Sequence, residues 1–274
     1  MSKTQSNIYI KLLLCKQNIC TKFSLLKQVS IKTIPNMIDD KIKEIRDFCV
    51  KNTNQSNIEK YSRYFKDGFD SYGIDNNIYQ AQKELWIEKW HNEMTIENYL
   101  DLGDKLVKTG KFEEVSFAIS FIQSKREDYT ESTFDRVGCW FDFGIRNWGN
   151  TDVLCMLVLS SFLIDKIVDF EKLKEWTAAD SQWKRRAVAV TLVELVKTGL
   201  KPSDAIAVIE PLMMDKSEYV QKGIGTLLRG LWKNYPTEIE HFLLKWKDKC
   251  GRLIIQYSTE KMDKEYRKKF RKAK

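Results

Sequence analysis

The chain has 274 residues, 43% of them apolar, with eight Trp and only four Pro; that is enough to bury a core, and it excludes a disordered chain. Its net charge of +8 is uneven: residues 1–38 hold six lysines and no acid, and residues 261–274 hold eight bases and two acids, so removing both ends leaves −4 between them. A uniformly basic polyanion binder is thereby excluded, and no run reaches the about eighteen apolar residues of a membrane span.

Six scattered cysteines without a CxxC pair read as reduced thiols of an intracellular protein. The two histidines, His91 and His241, stand far apart, so no zinc signature, metal or other cofactor is expected.

Residues 1–36 are rich in Lys, Ser and Asn, and their apolar run, Ile8 to Leu14, is too short for a membrane span. The missing acids suggest organellar import, but transit peptides favour arginine and this segment has none. An extension outside the domain is the preferred reading, with residues 37–274 as one domain. Met37 opens a helical pattern through Ile38, Ile42, Ile45, Phe48 and Cys49.

From there the spacing predicts helix after helix. A short one over 57–65 ends at the Lys66-Asp67-Gly68 turn, and 77–90, 95–108 and 113–125 each carry one apolar stripe. Segments 131–145, 152–164, 170–177, 182–197, 202–213, 218–234 and 237–246 follow, punctuated by Gly and Pro. A basic helix is expected at the C-terminus. No alternating β-branched segment competes, so the fold class is all-α.

A motif repeats within these helices. Ala187-Val-Ala-Val-Thr-Leu-Val-Glu-Leu195 overlays Gly223-Ile-Gly-Thr-Leu-Leu-Arg-Gly-Leu231 at an offset of 36, and Val115 to Ile122 shows the same small-then-large pattern. Small residues let helices approach closely, and a period of about 35–45 is that of paired-helix solenoids. The expected architecture is a curved right-handed solenoid of paired antiparallel helices (HEAT-like repeats) with a concave basic face; an irregular bundle is the alternative.

Trp148-Gly-Asn-Thr-Asp152 puts an indole and a carboxylate four residues apart at the mouth of an apolar run. One reading is helix-start chemistry, with Asn150 as N-cap and Asp152 in the first turn. The other is a site for a cationic ligand, since Trp148, Trp140 and Phe143 supply aromatic faces and the acid supplies the charge. Trp183-Lys-Arg-Arg186 sets arginines near a helix start, against the dipole, where an anion would relieve them. Lys222 and Arg229 share one helix face, and Arg252 with the run 261–274 extends the basic set. Basic residues from successive repeats suit a surface that tracks a phosphate backbone. Tyr61, Tyr64 and Tyr72 add aromatics, read as structural. No glycine-rich phosphate loop or Ser-His-Asp set is present.

The order Asn147-Trp148…Asp152, Trp176, Trp183…Arg186, Val220 to Arg229, then Arg252 with Gln256 to Lys261 resembles the HEAT-repeat DNA alkylation repair enzymes, the AlkD-like glycosylases, over residues 38–265. The resemblance implies a solenoid that binds duplex DNA in its concavity and removes purines alkylated at ring nitrogens. It implies Asp152 as the catalytic carboxylate, Trp148 as the aromatic wall and Arg186 as a phosphate contact, and it matches Tyr64 to a tyrosine of the site. It also implies a lesion left in the stack and approached from the backbone, unlike the usual extruded base. One position departs: Thr226 stands where active members carry a tryptophan. A lost cation–π face of about 0.5–2 kcal/mol would slow the reaction roughly tenfold for each ~1.4 kcal/mol.

The leading functional expectation is thus a DNA glycosylase for cationic alkylpurines, acting as a monomer on duplex DNA through phosphate contacts, with no membrane association. The alternatives are a HEAT-type DNA-binding module without chemistry, keeping Arg186, Lys222 and Arg229, and a protein-binding solenoid.

Overall fold

The computed structural model describes residues 34–272, which form helices and turns with no strand among them. Up to residue 33 the expected extension lies outside the described residues. The helices are α1 (Ile34–Lys51), α2 (Gln55–Ser62), α3 (Asn76–Trp90), α4 (Ile96–Val107), α5 (Phe112–Gln123), α6 (Glu131–Gly138), α7 (Trp140–Phe143), α8 (Trp148–Leu154), α9 (Ser160–Ile164), α10 (Phe170–Lys174), α11 (Gln182–Leu195), α12 (Pro202–Ile209), α13 (Glu218–Trp232), α14 (Pro236–Trp246) and α15 (Arg252–Ser258). None of them is long and apolar enough to cross a membrane.

Five of these form a row in which each packs on the next: α5, α8, α11, α13 and α15. Their first residues, 112, 148, 182, 218 and 252, fall 34 to 36 apart, so the repeat seen in the sequence extends over the row. Glycine sets how closely the row packs. A Cβ on Gly225 would lie 2.5 Å from Tyr257 Cβ and 3.0 Å from the Ile254 carbonyl, so α13 and α15 meet backbone to side chain. Behind the row a continuous core runs from Ile38 to Phe270, with Trp86, Trp90, Trp140 and Phe162 among its fully buried members.

Several predicted spans change. The first helix starts at Ile34, ahead of Met37. The segment expected over 131–145 divides at Cys139, where Gly138 lies against Trp176; a Cβ there would stand 2.7 Å from the indole. The segment expected from Asp152 instead begins at Trp148 and loosens into a π-helical turn over Cys155–Leu159 before α9. The expected C-terminal helix is a 3-10 turn, Tyr266–Phe270. Three successive bases, Arg267 to Lys269, give a helix no apolar stripe, so the segment is held instead by buried Phe270, by Tyr266, whose hydroxyl donates to Glu240 at 2.5 Å, and by Lys247, which donates to the Arg271 carbonyl.

A buried carboxylate fixes the loop that reaches the site. Glu113 accepts from Ser71 Oγ (2.7 Å) and from the backbone N–H groups of Tyr72 (2.9 Å), Gly73 (2.8 Å) and Ile74 (3.2 Å). Four donors on one anion make its burial tolerable. Gly68, at φ +100°, turns the chain so that residues 63–69 cross the start of α8.

Candidate functional site

Asn147, in extended conformation, caps α8: its side chain accepts from the Asn150 N–H at 2.8 Å. The expected cap, Asn150, is instead buried inside the helix, and its amide donates to the Phe112 carbonyl (3.2 Å) and Ser116 Oγ (3.1 Å) of α5. Moving the cap three residues upstream moves Asp152 out of the first turn, which contains no acid. Dipole complementation therefore does not explain the carboxylate.

Its partner does. Arg186 on α11 donates from Nε to Asp152 Oδ1 (2.7 Å) and from Nη2 to Oδ2 (2.6 Å), while Nη1 reaches the Tyr219 carbonyl at 2.6 Å. The anion expected at Arg186 is thus the chain's own carboxylate, gripped by two parallel bonds. The Asp152 side chain stays 22% exposed and that of Arg186 11%, so the pair sits at the rim of the fold. Beneath it lies Cys155, fully buried, its thiol pushed up by burial first and by the Asp152 charge after that.

Aromatic rings surround the pair. Trp148 stacks on Phe65 (centroids 5.3 Å, planes 14° apart), and its Nε1–H donates to the Tyr64 carbonyl at 3.1 Å. Tyr64 therefore meets the site through its backbone; its ring is 55% exposed and lies beneath the Arg63 guanidinium. Trp183 and Tyr219 face each other at 4.6 Å, and Lys222 Nζ stands 5.7 Å from the Tyr219 ring centroid. Burial first, then the Asp67 carboxylate that accepts from it, holds the Tyr219 hydroxyl above its usual range. Phe65, Asp67, Trp148, Trp183 and Tyr219 line a shallow surface crevice.

Other predicted members are elsewhere or already partnered. Trp140 is core: fully buried, it donates to Asp104 at 2.9 Å and covers Gly103. Phe143 lies half-buried below Lys108. Lys222 is 3.5 Å from Glu218, and Arg229 bonds to Glu260. Of the four basic residues expected to track a phosphate backbone, only Arg252 has no carboxylate within 4 Å among the described residues. A basic stripe free for an external anion is therefore not found across α11 and α13. Thr226 spends its hydroxyl on the Lys222 carbonyl at 2.9 Å, and Trp232 gives its N–H to Glu240, so neither supplies an aromatic wall.

Phe65, Asp67 and Tyr219 escape a reading by local motif, because they come from segments about 80 and 70 residues on either side of Trp148. One signal exists in the sequence: Tyr219 is one repeat beyond Trp183, at the same offset of 36 that relates Ala187 to Gly223.

The profile described as "DNA alkylation repair enzyme" matches residues 49–262. Nothing among curated proteins matches the chain. Solved structures are similar as well, three of them as follows. A predicted DNA alkylation repair enzyme from Enterococcus faecalis has a TM-score of 0.68 at 16% identity, over 78% of this chain and 98% of that one. AlkD2 from Streptococcus mutans has 0.53 at 18% identity, over 76% and 99%. The smu.31 protein from Streptococcus mutans UA159 has 0.52 at 20% identity, over 68% and 93%. At these identities the likeness carries the fold alone.

Proposed function

The chain belongs to the DNA alkylation repair enzyme family, and from that premise we propose that it is a DNA glycosylase that excises cationic alkylated purines from duplex DNA. The row of α5, α8, α11, α13 and α15 is read as the inner wall of a curved HEAT-type solenoid, with the duplex lying along it.

A single observation carries the reading: a carboxylate that no capping role explains, held in a fixed orientation by Arg186 beside Trp148 and the Trp183–Tyr219 pair. A carboxylate offers about four acceptor positions, and Arg186 uses two, leaving two for a ligand. An alkylpurine cation is already a good leaving group. When the C1′–N bond breaks, its electron pair neutralises the departing base and leaves an oxocarbenium-like sugar. Asp152 stabilises that charge and guides the water whose oxygen bonds to C1′, taking up its proton. No general acid is required. The crevice beside Trp148 is shallow and open to solvent, with no deep pocket for an extruded base, in keeping with a lesion approached from the backbone. A genomic duplex as substrate would place this activity inside the cell.

The test is release of methylated purine from methylated duplex by the full chain at high protein concentration; absence of release sinks the proposal. One observation favours a second reading, a DNA-binding module without chemistry: Thr226 leaves one wall of the site without an aromatic face, whereas the carboxylates that meet Arg186, Lys222 and Arg229 weigh equally on both readings. That reading predicts salt-sensitive duplex binding, unaltered by Asp152→Asn.

A further inference from the structure

The helix row ends at α15, and its last face is not bare. Along the row, one face of each helix receives the next. On α11, Gln182 accepts from Ser217 (2.6 Å) and Arg186 donates to the Tyr219 carbonyl. On α13, Gln221 accepts from the Leu253 N–H (3.3 Å) and Gly225 meets Tyr257. The equivalent face of α15 carries Arg252, Ile255, Gln256 and Thr259, and no further helix packs on it among the described residues. Residues 264–272 cross in front of it instead, tied down by Phe270 and by Lys247 Nζ, which donates to the Arg271 carbonyl at 3.0 Å. Between them lies a cavity of about 880 Å³.

Its lining is cationic. Arg252, Lys264, Arg267, Arg271 and Lys272 face it, and none has a carboxylate within 4 Å among the described residues; the one acid of the lining, Glu265, is engaged by Lys268. Of the other eight described arginines, Arg46, Arg126, Arg136, Arg185, Arg186 and Arg229 are paired with carboxylates, while Arg63 and Arg146 stand singly and not around a common cavity. Uncompensated guanidinium groups around one concavity repel one another, and anions of multiple charge relieve that best.

We infer that this end cavity is an oligophosphate site, taking two or more neighbouring phosphate groups between the Arg252 and Arg267 guanidinium groups. It opens on the side of the row that carries the Asp152 pair. Asp152, Arg186, Lys222 and Gln256 are repeat-equivalent, 34, 36 and 34 residues apart, and Gln256 lines the cavity. Three helix-to-helix steps of about 8–10 Å place it roughly 25–30 Å from Asp152, a distance of about 7–9 base pairs of duplex. The phosphates come from the backbone of a bound duplex or from a free nucleoside polyphosphate. Assigning them to the duplex rests on the function proposed above; the site itself does not.

Calorimetric titration with sodium tripolyphosphate and fluorescence anisotropy with a labelled 25-base-pair duplex test this, on the full chain and on Arg252→Ala/Arg267→Ala. Melting temperature reports folding, and Lys264→Ala/Lys272→Ala gives a second variant on the same walls. The expected result is 1:1 tripolyphosphate binding that falls at least tenfold in either variant. A parallel loss of duplex affinity, with the salt slope reduced by about two, assigns the phosphates to DNA; unchanged duplex affinity assigns them to a free polyphosphate. No tripolyphosphate binding by the full chain, or ligand affinities that neither variant alters, overturns the inference. Excision is read separately: a chain that binds tripolyphosphate but releases no purine contradicts the proposed function and leaves this site standing.

Discussion

Arg186 grips Asp152 through both carboxylate oxygens, 34 residues apart in sequence and 2.6–2.7 Å apart in space. This pair joins α8 to α11, and through the Tyr219 carbonyl it reaches α13. The same contact therefore orients the carboxylate and fastens three successive helices of the row.

Breaking the pair should cost stability. Asp152→Asn keeps the shape but leaves one guanidinium N–H without an acceptor, a loss of about 1–3 kcal/mol. For a domain of this size that is a fall in Tm of roughly 2–12 °C. Arg186→Lys loses the fork and should destabilise comparably. In a double-mutant cycle the two losses should fall short of additivity by about 0.5–3 kcal/mol; additive losses would show that the bidentate contact is not kept in solution.

Trp148 ties the crossing loop down by a ring stack and a hydrogen bond that substitution can separate. Trp148→Phe retains the stack on Phe65 and loses only the bond to the Tyr64 carbonyl, about 0.5–1.5 kcal/mol. Trp148→Ala removes both and should free residues 63–69. Limited proteolysis should then cut within 63–69 in the alanine variant and much less in the phenylalanine one. Equal cutting in both would assign the tether to the hydrogen bond.

Buried tyrosines set an alkaline limit. Burial pushes Tyr99 up to about 12, and it also raises Tyr72, Tyr79 and Tyr129. The unfolded chain releases these protons near pH 10 while the folded one retains them. The tyrosine contribution is therefore fully present well below pH 10 and lost as pH rises through the folded values, while that of the buried thiols Cys49 and Cys155, also raised by burial, begins to be lost from about pH 8.5. Chemical denaturation at pH 8, 10 and 11.5 should give a shallower fall in the first interval and a steeper one in the second. A rise in stability above pH 10 would contradict the burial assigned to these rings.

Gly225 sets the distance between the last two helices of the row. Gly225→Ala puts a methyl 2.5 Å from Tyr257 Cβ and 3.0 Å from a backbone oxygen, neither of which can swing aside. A loss of about 1–3 kcal/mol follows, despite the better helix propensity of alanine. Gly199, at φ +90° with open space around it, gives a contrast: alanine there is strained by conformation alone. Equal Tm losses at the two sites would argue against the close approach of α13 and α15.

Much of this was legible in the sequence. Apolar spacing placed most of the helices, and the overlay of Ala187 on Gly223 anticipated the repeat that spaces the row. Residue type and spacing single out Asp152, Trp148 and Arg186 but not their relationship: local pattern offers the Arg186 guanidinium a phosphate, while its carboxylate stands one helix away. The cap was misread because Asn147 and Asn150 are equally good by residue type, and only the packing of Asn150 on Phe112 and Ser116 decides between them. The pairing of Lys222 and Arg229 with Glu218 and Glu260, and the convergence of Phe65, Asp67 and Tyr219, depend on packing between segments that no local pattern records.

The central claim is that the Asp152 carboxylate performs chemistry in addition to joining helices. Single-turnover release of methylated purine from a methylated duplex, with protein in excess, tests it on the wild type and on Asp152→Asn, with anisotropy showing that both are bound. The account predicts release by the wild type, a loss of roughly 100-fold or more in the variant, and duplex affinity changed by no more than a few-fold. An unchanged rate in Asp152→Asn, or no release by the saturated wild type, would contradict it.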